Sequence, residues 1–147
     1  MRGVGQKKEP VMSNKEIQLF CRDLNVYLME RFDYKTCPAT SNMFTVDASR
    51  KLFDLYFRFK PNTDLWKPDT IVIAKIGFKH TRVGHGRDLL KFIVKVSNKY
   101  QTNKVGIEGA NDNLADFAKK LGFKNIHNKQ WIIDVTELKV SLEKTYY

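Results

Sequence analysis

Two cysteines and four prolines are all that the 147 residues hold of either type. Cys21 and Cys37 have neither metal-ligand nor redox spacing, which excludes a disulfide scaffold and a zinc ribbon. They read as ordinary thiols of a reducing compartment. His80, His85 and His127 form no H-x-H or H-E-x-x-H pattern, so no metal set is expected. The longest aliphatic run, Ile71-Val72-Ile73-Ala74, stops at Lys75, far short of the roughly 18 residues of a spanning helix. The opening MRGVGQKKEP lacks the apolar middle of a secretory signal. A soluble, cytoplasmic protein with no membrane partner is expected.

Acidic residues are also scarce, 16 against 26 Lys and Arg, for a formal net charge of +10. That balance favours polyanionic partners, which include nucleic acid, a phosphate-rich cofactor and an acidic protein. A solvated basic surface that aids solubility is the competing reading.

What is present suits one globular domain. Hydrophobic residues make up 42% and aromatics 12%, and a chain of this length buries about 68–70% of its unfolded surface. Residues 1–12 read as a flexible leader and residues 13–147 as the domain. Ser13 and Glu16 make a capping-box pattern ahead of Ile17, Phe20, Cys21, Leu24, Leu28 and Phe32, which predicts an amphipathic helix over Asn14 to Phe32. Asp33 to Asn42 reads as a loop. Strands are expected over Met43 to Asp47 and over Lys51 to Lys60, where Phe53, Leu55, Phe57 and Phe59 alternate with polar residues. Pro61-Asn62 and Lys67-Pro68-Asp69 bracket a connection to a mostly apolar strand, Thr70 to Phe78. A second helix is expected over Gly86 to Tyr100, a strand over Lys104 to Glu108, and a third helix over Asp112 to Leu121 with Gly122 as its stop. A hairpin around Asn128-Lys129 follows, Phe123 to His127 with Gln130 to Val135, and then a polar tail. This order implies an α/β (α+β) fold with a mixed, mostly antiparallel sheet and helices on both faces.

One segment carries chemistry. A strand that feeds a glycine turn opening a helix is a device for holding phosphate, because the first N–H groups of a helix lack partners and its dipole is positive there. Gly84 and Gly86 put no side chain in the way, the N–H groups of about Arg82 to Arg87 can converge on two phosphoryl groups, and Arg82 and Arg87 add charge. A G-x-G by itself also serves as a plain turn.

Ile76-Gly77-Phe78-Lys79-His80-Thr81-Arg82-Val83-Gly84-His85-Gly86-Arg87-Asp88-Leu89-Leu90 resembles the acetyl-CoA motif of the GNAT superfamily of N-acyltransferases, R/Q-x-x-G-x-G/A between a strand and a Leu-rich helix. Asn111 to Phe123 is similar to that family's second motif, which commonly ends in Y-x-K-L-G-F. The resemblance covers residues 70 to 135. It implies a GNAT fold, acetyl-CoA as co-substrate, and direct attack of an amine on the thioester. Implied cofactor-binding residues are Ile76 and Phe78 on the strand, Thr81, Arg82, Val83, Gly84, His85, Gly86 and Arg87 in the turn, and Asn111, which equally reads as an Asx cap of the third helix. A backbone N–H near Ile76 or Gly77 would meet the developing oxyanion. Glu108 is the candidate base, with a solvated strand-end carboxylate as the other reading. Thr81 replaces the family's Arg or Gln. Ala118 stands where many members carry a Tyr that protonates the departing thiolate.

Two functions of different class follow. The first is acetyl transfer to an amine of a protein, peptide or small molecule, by a monomer or homodimer. The second is a catalytically silent module of the same fold that uses its basic surface on nucleic acid or an acidic protein.

Overall fold

The computed structural model describes residues 12–59 and 66–144. Residues 1–11 of the leader expected over 1–12, and the turn at Pro61-Asn62, lie outside them. Met12, expected in the leader, is instead buried against the core, 2% exposed.

Helix α1 spans Asn14–Phe32 and opens on the capping box: Glu16 N–H donates to Ser13 Oγ at 3.1 Å and Ser13 N–H donates to Glu16 Oε1 at 3.0 Å. Its stripe Ile17, Phe20, Leu24 and Leu28 is fully buried, as the helical spacing predicts. The region expected to be loop holds a short strand, β1 (Ala39–Ser41). Three residues carry too little pattern to read, and a distant side chain fixes them. The buried amide of Asn25 in α1 accepts from Ala39 N–H at 2.7 Å and donates to Ala39 O at 3.1 Å. It thus imitates a neighbouring strand.

Strand β2 runs Thr45–Arg50, shifted toward the C-terminus from the expected span, because Asn42 N–H donates to Thr45 O and makes Met43 and Phe44 a turn. Strand β3 is Phe53–Arg58, with Phe53, Leu55 and Phe57 buried as the alternation predicts. Strand β4 (Thr70–Phe78) passes through the turn into α2 (His85–Tyr100), then β5 (Lys104–Ile107), α3 (Asp112–Lys120), β6 (Lys124–His127) and β7 (Gln130–Asp134). The hairpin turn at Asn128 has φ 44°, a left-handed conformation that asparagine tolerates. Helix α3 ends in a Schellman motif: Gly122 (φ 97°) donates to Lys119 O and Phe123 to Ala118 O.

The expected polar tail is a further helix, α4 (Val135–Glu143), and Val135 begins it rather than ending a strand. Val135, Leu138 and Leu142, at helical spacing, are buried. Nine residues form no stable helix alone, so docking against α2 decides this one.

Among the described residues seven strands form one sheet in the order β1-β2-β3-β4-β5-β7-β6. Every neighbouring pair is antiparallel except β4–β5, which the α2 crossover makes parallel. Residues of all four helices share one apolar cluster with Ile71, Ile73, Val105, Ile107 and Ile133. On the opposite face Val72 pairs with Gly106, and Trp66 lies over Gly106.

Helix α2 is tied to α1 at its far end. Tyr100 OH and Lys99 Nζ donate to Asp23 Oδ2 at 2.7 and 3.0 Å. Burial opposes the Asp23 charge, but these hydrogen bonds outweigh it and hold the carboxyl below its ordinary value. The stabilisation is therefore full above the unfolded pKa of about 4 and is lost as pH falls through the lower folded value. Asp23→Asn should lower Tm between pH 5 and 7, and thermal melts at stepwise lower pH should show the gap to the parent closing below about pH 4.

Candidate functional site

Two features of β4 create the site. Its pairing with β3 slips by one residue between Tyr56/Lys75 and Phe57/Ile73, so Ala74 is the extra residue of a β-bulge. Its pairing with β5 stops at Ile73↔Ile107, where Glu108 N–H donates to Ile73 O at 3.1 Å before Gly109 (φ 67°) turns the chain away. From Ala74 onward β4 runs beside a gap. A bulge re-aims a strand and ends pairing, so the last residues of β4 keep backbone groups with no strand on that side. Lys79 N–H donates to Leu52 O on the β3 side at 3.0 Å. Alternation along the strand then turns the amides of Phe78 and Ile76 toward the gap, and that of Gly77 toward β3. Of Ile76 and Gly77, it is the Ile76 amide that faces the gap.

From the gap a groove of about 850 Å³ runs to the start of α2, between it and α3. Such a volume suits a ligand the size of a nucleotide cofactor. Nine of the ten expected cofactor-binding residues line it: Ile76, Phe78, Thr81, Arg82, Gly84, His85, Gly86, Arg87 and Asn111. Val83 does not; it projects from the turn, 59% exposed. Arg82 (φ 62°) and Gly84 (φ 89°) adopt left-handed conformations that curl the turn. Gly84 is the N-cap of α2 and supplies no side-chain cap, so the first amides of the helix are left for another acceptor.

Arg87 lines the groove, and its Nη2 donates to Leu142 O and Lys144 O, each at 3.2 Å. Its charge also caps the negative end of α4. Ala118 is fully buried and faces the core. The α3 residues that line the groove are Asn113, Leu114, Asp116, Phe117 and Lys120, and the Phe117 ring would be 3.2 Å from a Cβ on Gly86. Of these, Leu114 and Phe117 carry no transferable proton. Asn111 is the N-cap of α3, accepting from Leu114 N–H at 2.9 Å, and lines the groove as well, so both of its readings hold.

Glu108 lies outside this groove. With Ala74, His127 and Gln130 it lines a second, more open depression. Arg58 Nε sits 2.9 Å from Glu108 Oε1, an ion pair that β3 and β5 bring together and no local motif announces. Lys120, at the end of α3, adds a cation to the groove that spacing had not singled out. Among the described residues no group of His, Cys, Asp or Glu could hold a metal ion, and no helix is long and apolar enough to cross a membrane.

No protein-family model and no curated protein matches the sequence. Solved structures do match. Elp3 of the archaeon Methanocaldococcus infernus aligns with a TM-score of 0.50 at 14% identity, over 69% of this chain. The aligned region spans only 28% of that Elp3 chain. The chain has the GNAT fold. Tetrahymena GCN5 aligns at TM-score 0.47 and 13% identity, over 80% of this chain and 88% of its own. A mutant AtaT toxin bound to acetyl-CoA and to the C-terminus of its antitoxin AtaR aligns at TM-score 0.49 and 10% identity, over 98% and 96%. At 14% identity the Elp3 match shows the fold alone and leaves activity to be argued from the site.

Proposed function

We propose that the chain is an acetyl-CoA-dependent N-acetyltransferase acting on an amine acceptor. The observation that carries the reading is the continuous path from the unpaired edge of β4 to the uncapped first turn of α2. That path fits a coenzyme A laid along it: a dipolar amide nest for the pyrophosphate at one end, and strand amides for the pantetheine arm and thioester at the other. The thioester supplies an acyl carbon open to a nucleophile. The amides of about Arg82 to Arg87 hold the phosphates, and Arg82 and Lys120 add positive charge beside the groove. Asn111 and Phe78 border the arm. The Ile76 amide stabilises the charge that grows on the carbonyl oxygen.

The amine enters from the second depression, across the strand gap. An ammonium must lose a proton before it attacks, and Glu108, fixed by Arg58, takes that proton directly or through water. Ala118, at the position where many members carry the acid, gives no proton to the thiolate. With a thiol pKa of about 8.5, the thiolate leaves without obligatory help, at some cost in rate.

Calorimetric titration of the full chain with acetyl-CoA tests this reading. Stoichiometric micromolar binding is expected, followed by acetyl transfer in a screen of amines, which Glu108→Gln should slow at least about tenfold. Failure to bind at low salt would sink it.

The charge of +10 favours a second reading, a basic face for a polyanion. Lys91, Lys95 and Lys99 follow one another at four-residue intervals beside the cleft between α1 and α2, although Lys99 is already paired with Asp23. This reading requires DNA or RNA affinity that falls steeply with salt.

A further inference from the structure

Behind the phosphate turn, one side chain of α1 reaches two residues in the first turn of α2. Arg31 Nε donates to His85 Nδ1 at 3.1 Å, and Arg31 Nη1 lies 3.0 Å from Asp88 Oδ2. The same carboxylate oxygen accepts from Tyr27 OH at 2.7 Å, which anchors it. Arg31 is 27% exposed, so the bridge is partly shielded from water. The His85 ring is further fixed by the rings of Phe32 and Phe78, with centroids 4.8 and 5.2 Å away.

A guanidinium has only donors. An imidazole nitrogen that accepts from it is unprotonated, so the single proton of a neutral ring must sit on the other nitrogen. We propose that Arg31 is a positioning residue for ligand binding: by occupying His85 Nδ1 it keeps the ring proton on Nε2, making His85 a neutral donor to a phosphate oxygen in the groove. The inference rests on the coenzyme A reading of that groove.

The surroundings all act on this ring. Arg31 from α1 and His80 from the turn are basic, Asp88 on its own helix is acidic, and Phe32 and Phe78 are apolar. Burial first, then Arg31 and His80, push the His85 pKa down against the pull of Asp88. A second proton would also have to displace the Arg31 hydrogen bond. His85 therefore contributes a directed N–H that does not strengthen on mild acidification.

The test has two arms on the full chain. Nitrogen-detected NMR of the histidine rings should show His85 as the Nε2–H tautomer, without ligand, from pH 7.5 to 5.5. An Nδ1–H tautomer would overturn the proposal without reference to any ligand. The second arm measures affinity for dephospho-CoA, whose pyrophosphate diester does not titrate in that range. His85→Ala should weaken binding about tenfold, as loss of a hydrogen bond to a charged group does.

Arg31→Met should weaken binding at pH 7.5 and regain affinity toward pH 5.5, because the released imidazole takes a second proton and gains charge. In the His85→Ala background that regain should vanish, which separates positioning from the loss of the Arg31 charge. Arg31→Lys, which keeps a cation for Asp88 but has no fork to span both residues, should behave like Arg31→Met at His85. If the parent binds and Arg31→Met leaves its pH profile unchanged, the Arg31 inference fails alone. If the parent shows the expected tautomer but does not bind dephospho-CoA, the coenzyme A reading fails and takes the phosphate-donor role with it.

Discussion

Gly84→Asp should leave the chain folded and weaken acetyl-CoA binding by at least about 100-fold, a loss near 2.7 kcal/mol. Gly84 has φ 89°, and a Cβ built there would meet nothing within 4 Å. The position is sterically open, and its cost is the left-handed backbone, about 1–2 kcal/mol for an ordinary residue and least for Asp or Asn. The carboxylate, however, would stand at the positive end of α2 and accept from the amides that otherwise wait for phosphate. It would displace the phosphates by competition and by repulsion. Gly84→Asn, equal in size and backbone preference but uncharged, should keep affinity within about tenfold of the parent. Calorimetric titration alongside thermal melts checks both variants. Parent-like affinity in Gly84→Asp would remove the phosphate assignment of the turn.

Gly106→Val should be the most destabilising single change considered. Gly106 lies within β5, opposite Val72 on one side and Ile132 on the other. A Cβ there would run into the six-membered ring of Trp66, which is 5% exposed. The backbone of a central strand cannot retreat, so the indole must leave its berth. Ejecting or crushing a buried Trp costs about 3–5 kcal/mol, which for a chain of this size is a fall in Tm of roughly 10 °C or more. Trp66→Leu should itself destabilise, and a Gly106→Ala/Trp66→Leu pair should cost less than the sum of its parts, since the two sites share one volume. A red shift in tryptophan emission should accompany Gly106→Val. An unchanged melt would show that Trp66 is held elsewhere and only rests on β5.

Much of this architecture is legible along the chain. The capping box and apolar stripe announce α1, alternation announces β3, and the run from Thr70 to Phe78 into a glycine turn announces both β4 and the opening of α2. These are local signals, in which one residue constrains another within a few positions. Elements that missed had no such signal, or one too faint to stand alone. Strand β1 exists because Asn25 on α1 presents its amide to Ala39. Helix α4 carries Val135, Leu138 and Leu142 at the right spacing, but only burial against α2 and the Arg87 cap on its carbonyls make nine residues helical.

The site divides along the same line. The sequence alone determined the glycine turn at the head of α2, because a strand, two glycines and a helix start are contiguous and unpaired amides are a local feature. Tertiary structure decided the rest. The bulge at Ala74 and the end of β4–β5 pairing at Ile73 open the gap that turns Ile76 outward. Packing leaves Phe117 at the groove, while Arg87, on the same groove, also reaches the end of α4. Arg58 meets Glu108, and Arg31 meets His85, across chain separations that no spacing rule spans. A charged side chain finds its partner by where the backbone has already been carried, and that is set by the packing of a whole sheet against its helices.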